Sequence, residues 1–187
     1  MAERISAAAL KKLLCQDDES ETYHYSQEDV AALEGLCPDD WPTAGQSFIN
    51  WDLSSEGRKH TIDPPCPWLL QSAEYAGDET ASLVTGRTVF SDVETQLHPL
   101  FRRATNTIWE ELDCFKLARA ILHIAHRQPL SPVFLCLHEE GGIFPGGGTH
   151  RYEVLKRMRV QELYFLAYTE DQAALDRLLP VQWKVKP

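Results

Sequence analysis

Residues 142–158, GIFPGGGTHRYEVLKRM, bring three glycines, a hydroxyl, an imidazole and a guanidinium to the point where a helical pattern begins. The first turn of a helix presents N–H groups without intrahelical partners, at the positive end of the macrodipole. Glycines just before it remove Cβ atoms and let an anion approach the backbone. Gly146, Gly147 and Gly148 are read as that loop. Thr149 is a helix cap or a hydroxyl donor to phosphate, while His150 adds a titratable donor and Arg151 a cationic fork. The plain alternative is a tight turn followed by a solvated His-Arg pair. Neither the GxxxxGK[ST] lysine nor the GxGxxG spacing is present, so this is not a Walker loop or a Rossmann fingerprint.

A second set lies upstream. Lys116, Arg119 and His123 stand at i, i+3 and i+7 within ELDCFKLARAILHIAHRQ, on one line of a helix. Such a line repels itself unless an anion lies between its members, or else it is simply a solvated basic face. His138-Glu139-Glu140 follows the apolar run VFLCL; its carboxylates could hold Mg²⁺ for phosphoryl chemistry, or form a solvated turn. Asp113 reads as a helix cap, and Arg102-Arg103 as contacts to DNA phosphate or an ordinary polar surface. Asp52, His60 and Asp63 form a metal cluster only if the fold gathers them. No GxSxG or HExxH motif occurs.

These groups need elements to hold them. Apolar spacing predicts a short helix over Arg4–Leu14, then one over SQEDVAALEGL, with Ser26 and Asp29 as a capping box. SFINWDL is the strand expected of the first half. ASLVTGRTVF reads as a strand pair, and SDVETQLHPLF as a helix opening at Ser91. The second half reads as helix (Phe115, Leu117, Ala120, Ile121 and Ile124 on its apolar stripe), strand, turn, strand, glycine loop, helix, strand, helix. In the helix after the glycines, Val154, Leu155 and Met158 face inward; ELYFLAY is a core strand, and Thr169 opens the last helix. That order predicts a mixed sheet packed with helices.

Charge divides the chain. Residues 1–95 carry 18 acidic against 6 basic side chains, and residues 96–187 carry 10 against 12, within a formal net charge of −10. A general nucleic-acid coat is excluded by the acidic excess; a local anion site in the second half is not. The acidic half serves solubility or docks a partner. Five scattered cysteines without a CxxC pair read as reduced thiols of a cytoplasmic protein. The N-terminal residues show neither a signal peptide nor a membrane span.

From KLARAI through a break, an apolar strand and a Gly-containing turn to GGGTHRYEVLKRMRVQELYFLAY, the chain resembles the ParB N-terminal/sulfiredoxin-like superfamily. Sulfiredoxins carry Gly-Gly-Cys-His-Arg-Tyr, which Gly147 to Tyr152 match at every place but Thr149. Partition proteins carry Gly-Glu-Arg-Arg, matched at Gly148 and Arg151. The resemblance covers about residues 110–170 and implies an α+β fold, with residues 91–187 as a nucleotide-binding core. Residues 1–90 are left as an acidic, largely helical extension packing on that core.

It further implies that Gly147, Gly148, His150 and Arg151 hold nucleotide phosphates, with Lys116 as a further contact. Arg119 and His123 fall where that family has smaller hydroxyl residues. Thr149 stands where sulfiredoxin chemistry needs a cysteine, so sulfinic acid reduction is not expected. Size and the acidic extension resemble the oncogenic suppression activity family of plasmid fertility inhibition factors. That family implies ATPase and DNase activity, and a block on DNA transfer by type IV secretion. The expectation is a phosphohydrolase using ATP with Mg²⁺. His150, Arg151 and Glu140 are its catalytic groups, and DNA and a secretion coupling component its further partners. Two alternatives stand beside it: a non-catalytic inhibitor acting through its acidic surface, and a nucleotide-gated DNA-binding protein.

Overall fold

The computed structural model describes residues 25–46, 48–54, 83–104 and 107–184. The helix expected over Arg4–Leu14, together with His60 and Asp63, lies outside them.

Five strands form one mixed sheet in the order β3-β2-β4-β1-β5, where β1 is Leu83–Val89, β2 Val133–Leu137, β3 Ile143–Gly147, β4 Glu162–Tyr168 and β5 Gln182–Trp183. Only β2 and β4 run parallel; the other neighbours are antiparallel. The helices are α1 (Gln27–Leu33), α2 (Phe90–Gln96), α3 (Ile108–Glu111), α4 (Cys114–Ala125), α5 (Thr149–Arg157) and α6 (Gln172–Leu178). The α+β class and the mixed sheet read from sequence are present.

Strand alternation sorts side chains between the two faces of the sheet. Leu163, Phe165 and Ala167 of β4 join Leu117 and Ile121 of α4 and Tyr152 and Leu155 of α5 in the main core. Leu166 of β4 faces the other way and clusters with Leu83 and Phe134. Within ASLVTGRTVF the described residues Leu83–Val89 form one strand rather than a strand pair. Gly86 does not turn the chain there. It sits opposite Phe165, whose ring would lie 2.6 Å from a Cβ at that position, so the glycine makes room for an aromatic ring over the sheet. This strand, from the segment read as the extension, occupies the sheet position between β4 and β5.

α1 starts as its sequence requires. Ser26 Oγ accepts the Asp29 N–H and the Asp29 carboxylate accepts the Ser26 N–H, a complete capping box. Asp113 caps α4 by accepting the Lys116 N–H at 3.0 Å. Leu117, Ala118, Ala120, Ile121 and Ile124 of α4 are buried, but Phe115 is 50% exposed and does not share the stripe. SFINWDL contributes only a single bridge, Trp51 to Leu130, in place of a strand. The last helix is preceded by a 3₁₀ turn at Thr169–Asp171, which moves its start to Gln172.

α5 is more enclosed than its sequence suggests. Tyr152, Glu153, Val154, Leu155 and Arg157 are all buried, while Met158 is half-buried. The Phe90 and Tyr152 rings stack at 5.1 Å, the Tyr152 hydroxyl donates to Glu94 Oε1, and Lys156 Nζ pairs with Glu94 Oε2 at 2.7 Å. Two bonds therefore tie α2 to α5. On α5 itself Arg157 pairs with Glu153, their side chains 1% and 0% exposed. Arg157 also donates to the Ala104 carbonyl at 2.6 Å, and Arg103 reaches Glu153 at 3.8 Å and Glu111 at 3.5 Å. This network pins the segment before α4 against the helix that carries the glycine loop.

Candidate phosphate cradle and histidine cluster

The three glycines do not form one loop. Gly146 and Gly147 are the last residues of β3, and Gly147 pairs with Phe134 of β2. A Cβ on Gly146 would lie 2.5 Å from Cys136 Sγ, so that position is small for packing. Gly148 alone turns the chain. Its φ of 76° is left-handed, and it stands at the N-cap of α5 with no side chain capping the helix. Thr149 is consequently the first helical residue, not the cap, and its hydroxyl donates to the Pro145 carbonyl at 3.5 Å. A long bond of this kind restrains the side chain weakly.

Arg151 folds back across Gly148. Its Nη2, Nε and Cζ would lie 2.7, 2.9 and 3.2 Å from a Cβ at that glycine. Arg151 Nε and His150 Nε2 are shielded from solvent, while each residue as a whole is half-buried. The guanidinium thus lies over the N-cap residue of α5, at the end of the helix where the macrodipole is positive.

The remaining expected site residues are distributed differently. Lys116 and Arg119 are exposed on α4, on the side away from its buried stripe. His123 is half-buried, and its Nε2 donates to the Pro129 carbonyl at 2.8 Å, closing the connection from α4 toward β2. Its ring is used by the fold. Glu140, expected to work with His150 and Arg151, lies in the β2–β3 turn at the opposite end of β3 from Gly148. Five strand residues span about 16 Å at about 3.3 Å each, because a hairpin sends its turn to one edge and its continuing strand to the other.

Arg102 donates to the carbonyls of Leu97 and Thr95, and Arg103 belongs to the Glu111/Glu153 network, so both arginines are engaged within the chain. Asp52 accepts from Ser54 in a local turn.

Glu140 has other company. His98, at the end of α2, stacks on His138 with ring centroids 3.7 Å apart, and its Nε2 lies 3.7 Å from Glu140 Oε2. Phe101 and Phe144 stack on each other at 4.6 Å; Phe101 lies against both imidazole rings and Phe144 against that of His138. Sequence reading found His138 and Glu140 but missed His98, which stands forty residues earlier inside an apparent helix end. Only the pairing of that segment with the hairpin turn brings it there, and nothing in local spacing signals it.

Among the described residues no helix is long and apolar enough to cross a membrane. Comparison with family models, with curated proteins and with solved structures finds no match. The resemblance carried by Gly147 to Tyr152 stands on those residues.

Proposed function

We propose that the chain binds nucleotide phosphates at the N-terminus of α5 and hydrolyses the terminal one, with ATP as substrate. The observation that carries this reading is the seat of the Arg151 guanidinium against Gly148, the glycine at the N-cap of α5. A cation and the positive end of a helix gain together when an anion lies between them. With Arg151 lying over Gly148, the anion is met by the guanidinium and the N–H groups of the first helical turn. Arg151 stabilises charge on the transferring phosphoryl group, and His150 donates to a phosphate oxygen. Mg²⁺ enters with ATP and neutralises charge on the phosphate oxygens.

Glu140 is not a member of this site, since it stands at the other end of β3. Lys116 and Arg119 act, on this reading, as an exposed basic approach. The resemblance to fertility inhibition factors supplies the setting: a block on DNA export through type IV secretion, with a coupling component and DNA as partners and DNA cleavage as a second activity. Phosphate release from ATP by the tag-free chain tests it. Arg151→Ala is expected to lower the rate to background; equal rates in both proteins, or none in the wild type, end the enzyme reading.

A second reading has its own observation. Glu28, Asp29, Glu34, Asp39 and Asp40 are all exposed in and just after α1. Such a surface suits a non-catalytic inhibitor that docks a basic partner. That binding would survive Arg151→Ala and weaken with salt.

A further inference from the structure

We infer that His98, His138 and Glu140 form a binding site for a divalent transition-metal ion of the zinc type, separate from the phosphate cradle. One potential donor atom from each of the three lies within 4.8 Å of the others. Zinc bonds to imidazole nitrogen and carboxylate oxygen are about 2.0–2.2 Å long, so around a tetrahedral ion the ligand atoms stand roughly 3.3–3.6 Å apart. Side-chain rotation closes the difference. Two imidazoles and one carboxylate favour zinc, nickel or copper over Mg²⁺, which takes oxygen ligands. The ion anticipated from Glu139 and Glu140 alone is therefore replaced by a different one.

The backbone holds the donors together before any ion arrives. The His98 N–H donates to the Ile143 carbonyl at 2.9 Å, and Leu97 bridges Ile143. Gly142 has φ of 81°, and a Cβ there would lie 2.8 Å from the Gln96 carbonyl oxygen, so only glycine lets the turn approach so closely. The side chain of His98 is 10% exposed and that of Glu140 is 72% exposed, giving an anchored inner ligand and an outer one facing water. Three protein ligands with one open side match the arrangement of an accessible zinc ion rather than a closed structural one.

Binding requires a defined local change. Nδ1 of His98 and of His138 accept backbone N–H bonds at 3.4 and 3.2 Å, which places the proton of each neutral ring on Nε2. Metal ligation at Nε2 moves those protons to Nδ1, gives up the two long bonds and splays the stacked rings. The open positions on the ion are then filled by water.

The test is titration of the tag-free full chain, thiols reduced, with Zn²⁺ by calorimetry and with Co²⁺ by visible absorption. The wild type is expected to bind one ion with a d–d spectrum lacking thiolate charge transfer. Zn²⁺ raises its melting temperature and Mg²⁺ does not. His138→Ala weakens binding beyond the ~10–100-fold that loss of an outer partner costs. Glu140→Gln, on an exposed side chain, weakens it while leaving the apo melting temperature unchanged. Absence of wild-type binding, a thiolate spectrum, or unchanged affinity in both variants overturns the site.

Discussion

Gly148 is the residue on which the phosphate cradle turns. Its left-handed backbone and the guanidinium lying over it both exclude a side chain. Gly148→Ala should therefore cost about 1–2 kcal/mol from backbone conformation alone, read as a lowered denaturation midpoint, and should also displace Arg151. Thr149 carries less. With only a 3.5 Å bond to Pro145, Thr149→Cys is expected to leave both stability and nucleotide affinity nearly unchanged, as equilibrium unfolding and calorimetry would show.

Cys136 offers a check by thiol chemistry. Burial, with the nearby Asp171 charge adding to it, pushes its pKa up to about 11. The thiol stays protonated at pH 8, whereas Cys37 is exposed. Iodoacetamide at that pH should label Cys37 and spare Cys136 in the folded chain, read by mass spectrometry. The thiolate is the form that the fold disfavours. This contribution is thus present below the ordinary thiol pKa and is lost as pH rises toward 11.

At the scale of elements, most of the second half was legible. α4, the β2–β3 hairpin, α5 and β4 follow the apolar spacing of their residues, because each has one face that must be buried. Legibility stopped where tertiary contact overrode local pattern. Gly86 looked like a break and is a seat for the Phe165 ring. Phe115 looked like core and faces outward. Glu153 and Arg157, to which the sequence reading gives no role, form a buried pair that holds the Ala104 carbonyl.

Breaking such a pair from one side leaves a charge without its partner, at a cost of about 3–5 kcal/mol. Glu153→Gln should lower the melting temperature strongly, and Glu153→Leu with Arg157→Met should recover part of the loss. At α1, Ser26→Ala removes the cap and costs about 0.5–2 kcal/mol. The Ser26 bonds hold the Asp29 carboxyl below its ordinary value. The cap is therefore fully formed above the usual carboxylate pKa and is lost as pH falls through the lowered one, measurable as acid sensitivity absent in Asp29→Asn.

At the scale of the whole molecule, one sheet separates two kinds of site that the linear sequence ran together. Glu140, His150 and Arg151 fall within twelve residues and read as the catalytic groups of one site. β3 carries them to opposite ends, and the cluster near Glu140 is completed by a residue from α2's end that no motif announced. The Gly148–Arg151 stretch could be singled out because its parts are contiguous; the histidine cluster could not, because its parts meet only through strand pairing.

The central claim is that Gly148–Arg151 grips phosphate. Calorimetric titration of the chain with ATP and Mg²⁺ tests it most directly, with Arg151→Ala beside the wild type. Loss of a charge-assisted contact of about 1.5–3 kcal/mol predicts affinity weakened by roughly ten- to a hundredfold, with the variant still folded. Equal affinity in the two proteins, or no binding by the wild type at millimolar nucleotide, would contradict it.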